Sequence, residues 1–378
     1  MIGSKGIPAT VGGVERIVEE LSARLVERGH EVTAYCRRDY TGPDRTDPCR
    51  GVRRRWTPVV PGKYSETLSH AVTSVLDALG RGFDILHVHS LGTAPVLPLA
   101  RLSGARVLFH LHGQEWRGGK WGPMARAYFK GCEAPGLAVA HRTVVLSRTL
   151  QRYCREVRHR DTTYIPNAVA VTDPSSMAPL ATWGLQPGKY LLAVGRLVPE
   201  KGIHDLLAAH RTAAPAVPLV IVGGSSHSDA YVASLREMAG PSVTFTGVVS
   251  GEPLAALYRG SRMVVQASLR EGMPLVVLEA MAHGVPVLAS DIDEHRECLA
   301  DAGHFFRAGQ PDDLARVLAA LLADPGRLAG TVAAARERTI REYSWPAVLD
   351  RVEAVYASLT GVGTAAGASN SGSPDPGR

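Results

Sequence analysis

The chain has 378 residues, a length that favours two domains over one core, and its 45% apolar and 21% charged content is ordinary for a globular protein. No apolar run reaches the roughly 18 residues needed to cross a bilayer. The net charge of +6 is uneven, with 25 Lys+Arg against 16 Asp+Glu in residues 1–180 and 17 against 20 in the remainder, but no helix-turn-helix, finger or RNA-binding signature accompanies the basic half, which argues against nucleic acid.

The start, MIGSKGIPATVGG, lacks the apolar core of a signal peptide. Only Met1 and Ile2 precede the first loop, whereas a parallel strand runs about five residues. The expectation is a truncated strand, or a true start upstream of Met1. Val14, Ile17, Val18, Leu21 and Leu25 then fall at helical spacing. Strands are expected at 31–36, 83–90, 106–113 and 142–147. The densest basic stretch, RGVRRRW at 50–56, reads as a solvated strand edge or loop, or as a contact for anionic lipid headgroups or an anionic acceptor. A Pro-rich passage at about 164–189 separates this half from a second alternating series, with strands at 190–195, 219–224, 243–247, 263–268 and 285–290. Strand–helix alternation implies parallel sheets with helices on both faces. The last residues are rich in Gly, Ala, Ser and Pro and are expected to be disordered. Cysteines 36, 49, 132, 154 and 298 form no CxxC or Cys/His cluster. They suggest neither a disulfide framework nor zinc, and suit a reducing cytoplasm.

Ligands of such sheets bind outside the carboxyl ends of the strands. In the second half the first strand ends in GRLVPEKG, residues 195–202, where Arg196 and Lys201 suit a diphosphate or are two surface cations. Later comes the loop Glu271-Gly272-Met273, then Pro274 in the first turn of a helix running to Gly284. The amides of Leu275 and Val276 are then free at a helix N-terminus, an anion site. Glu271 and Glu279 flank it and can hold the hydroxyls of a sugar and a ribose, or can form local salt bridges, for example to Arg270. Asp291-Ile292-Asp293 has the Asp-x-Asp form of a metal motif, although its place argues against that role. His87 and His89 alternate on one strand face, where packing is favoured over metal binding. No GxGxxG with a downstream acid follows a first strand, which disfavours a nicotinamide dehydrogenase.

EGMPLVVLEAMAHGVPVLAS (271–290) resembles the E-x7-E signature of retaining glycosyltransferases of family 4, with the GT-B fold. GRLVPEKGIHDLL (195–207) is similar to that family's phosphate-binding strand-loop-helix, and IPNAV (165–169) to its inter-domain passage. GSKGIPATVGGVERIVEEL (3–21) and HGQEWRGGKWG (112–122) resemble a bacterial subgroup from exopolysaccharide and natural-product glycosylation. The resemblance implies two Rossmann-like domains facing a cleft: 1–170 for the acceptor and 185–344 for the nucleotide sugar, with a helix at 345–360 crossing back and a tail at 361–378. It implies that Arg196 and Lys201 grip the diphosphate, Glu271 the donor sugar and Glu279 the ribose. Gly12 and Gly13 would turn the first helix's amides to the phosphates, and His112 would touch the sugar near the reacting carbon. It further implies a nucleotide-sugar donor, a saccharide, lipid-linked or other hydroxyl acceptor, no metal or other cofactor, and a cytoplasmic enzyme with peripheral contact on the membrane's inner face. Glu115, Trp116, Lys120 and Trp121 are acceptor-side candidates. An epimerase or phosphorylase on the same fold, or a non-catalytic sugar-nucleotide binder, stays open at this stage.

Overall fold

The computed structural model describes residues 1–361 apart from 11, 43–47, 63–64, 118–121, 171–172, 215 and 226–227. Lys120, Trp121 and the expected disordered tail thus lie outside the described residues, Gly361 excepted. In the first half, strands β1 (Thr33–Cys36) and β2 (Arg53–Trp56) pair in parallel, as do β3 (Ile85–His89), β4 (Arg106–Leu111), β5 (Arg142–Val145) and β6 (Thr163–Tyr164). Met1 and Ile2 link the two groups. The Tyr35 amide donates to the Met1 carbonyl at 3.1 Å, and Ile2 bridges Val88 in parallel. These two residues therefore occupy the slot of a central first strand, and Ile2 is fully buried. The second half is one six-stranded parallel sheet in the order β12-β11-β10-β7-β8-β9. Its strands are β7 (Leu191–Val194), β8 (Leu219–Val222), β9 (Val243–Gly247), β10 (Met263–Gln266), β11 (Val287–Ser290) and β12 (His304–Phe306). The central strands β7, β8, β10 and β11 are almost wholly buried, as continuous apolar runs covered on both faces must be. Strands β6 and β12 were not expected as such, because they are short and sit at sheet edges, whereas β2 lies in the stretch read as a strand edge or loop.

Eight helices matter below: α1 (Gly13–Glu27), α2 (Pro123–Val139), α3 (Arg148–Arg158), α4 (Ile203–Ala213), α5 (Gly251–Gly260), α6 (Leu275–Ala282), α7 (Asp293–Leu299) and α8 (Trp345–Thr360). α8 follows the second domain in sequence yet packs on the first. Trp345, Val348, Leu349 and Val352 share a core with Ile17, Leu21 and Leu25 of α1. Tyr356 carries the same helix to β3, its hydroxyl 2.8 Å from His87 Nδ1.

The basic stretch at 50–56 is an ion-paired sheet edge. Arg50 meets Glu20 and Arg53 meets Glu31, each at 2.6 Å, while Arg55 grips Asp77 with two bonds of 2.7 and 3.0 Å. These arginines are neutralised within the fold, so this edge is not left as a bare cationic patch. No single described helix is long and apolar enough to cross a membrane.

The first domain has an unusual core. Alternation puts His87 and His89 on one face of β3, and His110 on the same face of β4, with His112 just beyond it. Their rings stack: 87 on 89 at 4.2 Å and 110 on 112 at 4.4 Å between centroids. His87, His89 and His110 each place a nitrogen within 4.8 Å of the others, but His87 Nε2 and His110 Nδ1 are already paired with each other at 3.2 Å. Burial, with the neighbouring rings adding to it, drives the pKa of these three well below the usual histidine value, and burial lowers that of His112 to about 4. The unfolded chain would bind protons at these sites from about pH 6.5 downward while the folded chain refuses them. Stability is therefore expected to be flat above that pH and to fall on acidification toward about pH 4, by up to roughly 1.4 kcal/mol per pH unit per histidine. Urea midpoints measured between about pH 7.5 and pH 5 check this. A midpoint that holds constant over that range would contradict a neutral buried stack.

Candidate active site

A cleft of about 2010 Å³ lies between the two sheets' carboxyl ends. That is about twice the upper size of an ordinary small-molecule pocket, roughly 1,000 Å³, so two substrates fit side by side. Every residue expected at the donor site lines it except His112 and Gly272.

On the second-domain wall, Gly195 follows β7. Gly223, after β8, comes so close that a Cβ there would sit 1.8 Å from the Gly195 carbonyl oxygen. Lys201 ends a short 3-10 turn, and Gly202 follows with φ +62 at the cap of α4. A Cβ at Gly202 would be 2.0 Å from the Ala267 carbonyl oxygen, so only glycine brings this turn against β10. That approach lets Lys201 Nζ reach Glu271 Oε1 at 2.5 Å. Ser268 Oγ donates to the same oxygen at 2.7 Å and Gln266 Nε2 at 3.2 Å. Glu271 Oε2 receives no donor among the described residues. Burial pushes the Glu271 carboxyl up, but Lys201 and the other donors outweigh it, and the group lies below the usual carboxylate range. Arg196 is exposed and makes no side-chain hydrogen bond or ion pair among the described residues. It is the cation left available to a ligand, while Lys201 is shared.

Pro274 is the N-cap of α6 rather than a first-turn residue. Its carbonyl accepts from the amides of Val277 and Leu278, and the amides of Leu275 and Val276 meet no acceptor among the described residues. Opposite them stands the N-terminus of α1, capped by Gly12 at φ +113. The two helix ends nearly touch: a Cβ on Gly13 would lie 3.5 Å from Leu275 Cδ1. Glu279, one turn on, accepts from Tyr258 of α5 at 2.6 Å and from Arg16 of α1, across the cleft, at 3.4 Å. Burial leaves its pKa raised in spite of Arg16 and Tyr258. Neither acid bridges to Arg270, the local partner considered from sequence.

His112 follows β4 and is partly exposed. Its Nε2 lies 3.0 Å from His89 Nδ1. The His112 carbonyl abuts Gly272, where a Cβ would come within 2.6 Å, so the two domains meet backbone to backbone beside Glu271. Glu115 lines the acceptor half of the cleft, with Oε1 accepting from the Leu91 amide at 3.3 Å. Trp116 does not line the cleft. Its indole N–H donates to Glu133 Oε2 at 2.7 Å, and Glu133, fully buried on α2, also accepts from Tyr153 at 2.7 Å and Arg158 at 2.6 Å. Trp116 thus anchors the 112–117 loop. Asp291 is used within the fold too, receiving the Ala308 amide at 2.9 Å and facing Arg296 at 3.6 Å, while Asp293 starts α7.

Sequence reasoning missed Arg16, Tyr258, Gln266 and Ser268, all of them ordinary surface or core residues until the chain folds. It also missed Arg37, whose buried guanidinium lines the cleft at the end of β1 beside Glu66 and Thr67. Glu133, an acid within the apolar residues of α2, carried a signal that was not used.

Residues 11–173 match the family model described as "Glycosyltransferase Family 4", and residues 188–324 the one described as "Glycosyl transferases group 1". The chain is 29% identical over 376 residues to a phosphatidyl-myo-inositol mannosyltransferase of Mycolicibacterium smegmatis, covering 93% of this chain and 92% of that one. It is 30% identical over 384 residues to a GDP-mannose-dependent alpha-(1-6)-phosphatidylinositol monomannoside mannosyltransferase of Mycobacterium tuberculosis, covering 91% and 94%. In fold it is similar to a sucrose-phosphate synthase from Thermosynechococcus elongatus, with a TM-score of 0.82 at 23% identity over 93% of this chain and 95% of that one. It is also similar to HepE of Anabaena, solved in complex with UDP and glucose, with a TM-score of 0.76 at 17% identity over 92% and 96%. With both halves matched and a relative at 30% identity over nearly its whole length, the chain belongs to glycosyltransferase family 4 and is a glycosyltransferase of the GT-B fold.

Proposed function

We propose that the enzyme is a retaining transferase that moves a hexosyl or deoxyhexosyl group from a nucleoside-diphosphate sugar to a hydroxyl of a lipid-linked saccharide or polyol at a membrane surface, with no metal ion. The observation that carries the proposal is the meeting of the α1 and α6 N-termini beside Arg196 and Lys201. Two sets of unpaired amides, two helix dipoles and two cations converge on one place. A diphosphate fits that field, and the charge that grows on it as the glycosidic bond breaks is stabilised by groups already in position. Glu271 holds sugar hydroxyls through Oε2 while Lys201, Ser268 and Gln266 fix Oε1. Glu279, bound firmly to Tyr258 but only at 3.4 Å to Arg16, has room for ribose hydroxyls.

Within this retaining reading, the carboxylates' commitments favour a course without a covalent intermediate. A double displacement needs an acid against the anomeric carbon. Glu271 is held by a lysine and two further donors, and Glu115 takes the Leu91 amide on the acceptor side. Transfer then proceeds on one face. The bond from the anomeric carbon to the phosphate oxygen breaks, the acceptor oxygen bonds on the same side, and its proton passes to the departing diphosphate.

For the acceptor, α2 supports a membrane setting. Met124 is 87% exposed and Tyr128 38%; both line the acceptor rim of the cleft, and the same helix bears Arg126 and Lys130. An exposed apolar rim among cations suits an anionic lipid surface. The mannosyltransferase relatives put GDP-mannose first in a thermal-shift screen of UDP-, GDP- and dTDP-sugars, and phosphatidylinositol lipids first among acceptors.

Lys201→Ala and Glu271→Ala are each expected to lower kcat/KM for transfer by about 100-fold or more, with the far-ultraviolet dichroism unchanged. The double variant should fall little further, because the two side chains act as one unit. Wild-type rates in the single variants would sink the site assignment. Met124→Asp is expected to weaken co-sedimentation with phosphatidylglycerol-containing vesicles by about tenfold, the equivalent of roughly 1.5 kcal/mol for burying that side chain. Its thermal shift with nucleotide sugar should not change.

A further inference from the structure

The histidine stack leaves two nitrogens buried without a hydrogen-bond partner, Nε2 of His89 and Nε2 of His110. Each is the second nitrogen of a ring whose Nδ1 is in use. His89 Nδ1 faces His112 Nε2 at 3.0 Å, and His110 Nδ1 faces His87 Nε2 at 3.2 Å. In a neutral imidazole one nitrogen donates and the other accepts, and the hydrogen bond made by one dictates the state of the other. A sealed N–H with nothing to donate to is the rarer and worse orphan than an unused lone pair. Both orphans are therefore lone pairs, and both protons sit on Nδ1.

The rest of the array follows without further choice. His110 Nδ1–H donates to His87 Nε2, so His87 carries its proton on Nδ1 and donates to the Tyr356 hydroxyl, 2.8 Å away on α8. His89 Nδ1–H donates to His112 Nε2, so His112 also carries its proton on Nδ1. That nitrogen makes no hydrogen bond among the described residues, and His112 is the one partly exposed member of the four. Reversing either pair would bury an unpaired N–H at the other end.

We propose that His89 is a positioning residue that locks His112 as the Nδ1–H tautomer, so that the site presents the donor sugar with a neutral N–H donor and not a basic nitrogen. This rests on the transferase reading for its substrate but not for its chemistry. On the transferase reading His112, whose carbonyl abuts Gly272 beside Glu271 at the edge of the cleft, offers that N–H to a hydroxyl or ring oxygen of the sugar and takes no proton from the acceptor. The depressed pKa of the stack agrees, since burial lowers that of His112 to about 4 and the ring is neutral near pH 7.

The test is nitrogen-15 spectroscopy of the histidine side chains in the full-length wild-type protein, with His112 assigned through His112→Gln. The expected result is a protonated Nδ1 and a bare Nε2 on His112, with the same pattern for His89. A proton on His112 Nε2 overturns the proposal, and this readout needs no substrate. Two variants then separate positioning from packing. His89→Asn keeps an N–H near the Nδ1 position and should hold the His112 pattern, with kcat within about threefold of wild type. His89→Val removes the anchor; its His112 signals should move toward exchange between tautomers, and kcat should fall about tenfold or more while the acceptor KM stays put. Unchanged His112 signals and kcat in a folded His89→Val protein overturn the positioning role. If the tautomers are as described in both variants but no nucleotide sugar is turned over, the transferase reading fails and the lock stands.

Discussion

The ion pair between Lys201 and Glu271 is what the rest of the cleft is built around. Two charges only 16% and 9% exposed are costly unless they satisfy each other and gather further donors. Here they do both, and the partners come from sequence positions 70 residues apart. The pair can form only because Gly202 lets the turn before α4 press against the Ala267 carbonyl, and because Ser268 and Gln266 at the end of β10 point donors at the same oxygen. It holds the loop before α6 in place, and with it the helix N-terminus. The same pair keeps Glu271 ionised, so that its other oxygen is a strong acceptor.

Against that fixed wall the first domain makes small contacts that set the cleft's width. Gly13 faces Leu275, the His112 carbonyl abuts Gly272, and Arg16 reaches Glu279. Behind the cleft the joints are firmer. Glu297 of α7 accepts from the Arg148 amide at the start of α3 with both oxygens at 2.8 Å, a carboxylate on a helix N-terminus. The Asn167 amide meets Met273 Sδ, and the Val169 amide bonds the Tyr343 carbonyl where the chain turns into α8. The contacts at the mouth are close approaches and one long side-chain hydrogen bond, and those at the back are hydrogen bonds donated by backbone amides. Opening for substrate entry therefore costs least at the mouth, which is the geometry of a hinge.

What could be read from sequence follows the same division. The second-domain motifs were legible because their chemistry depends on local spacing: a strand, a glycine turn, a proline and a helix start put amides and acids where a phosphate needs them. The E-x7-E spacing fixes Glu271 before the helix and Glu279 within it whatever else the chain does. The first domain was less legible because its roles depend on non-local partners. Trp116 and Glu115 look alike as acceptor candidates, and only folding shows that a buried Glu133 claims the indole while Glu115 stays on the cleft wall. RGVRRRW looks like a free cationic patch until Glu20, Glu31 and Asp77 arrive from elsewhere to neutralise it. Alternating His87 and His89 was correctly assigned to one strand face, but two more histidines from the adjacent strand, in register, make it a stack, and no single-strand pattern reports register.

That contrast bears on how one architecture serves different acceptors. The donor wall is over-determined: remove Gly202, Lys201 or Glu271 and the others lose their partners, so change there is costly. The acceptor wall is assembled from side chains with independent anchors, such as Arg37 on Glu66 and Thr67, and Glu115 on the Leu91 amide. Each can change without dismantling the sheet beneath it. Specificity for the group being glycosylated can therefore be retuned residue by residue on the first domain, while the diphosphate clamp on the second stays intact.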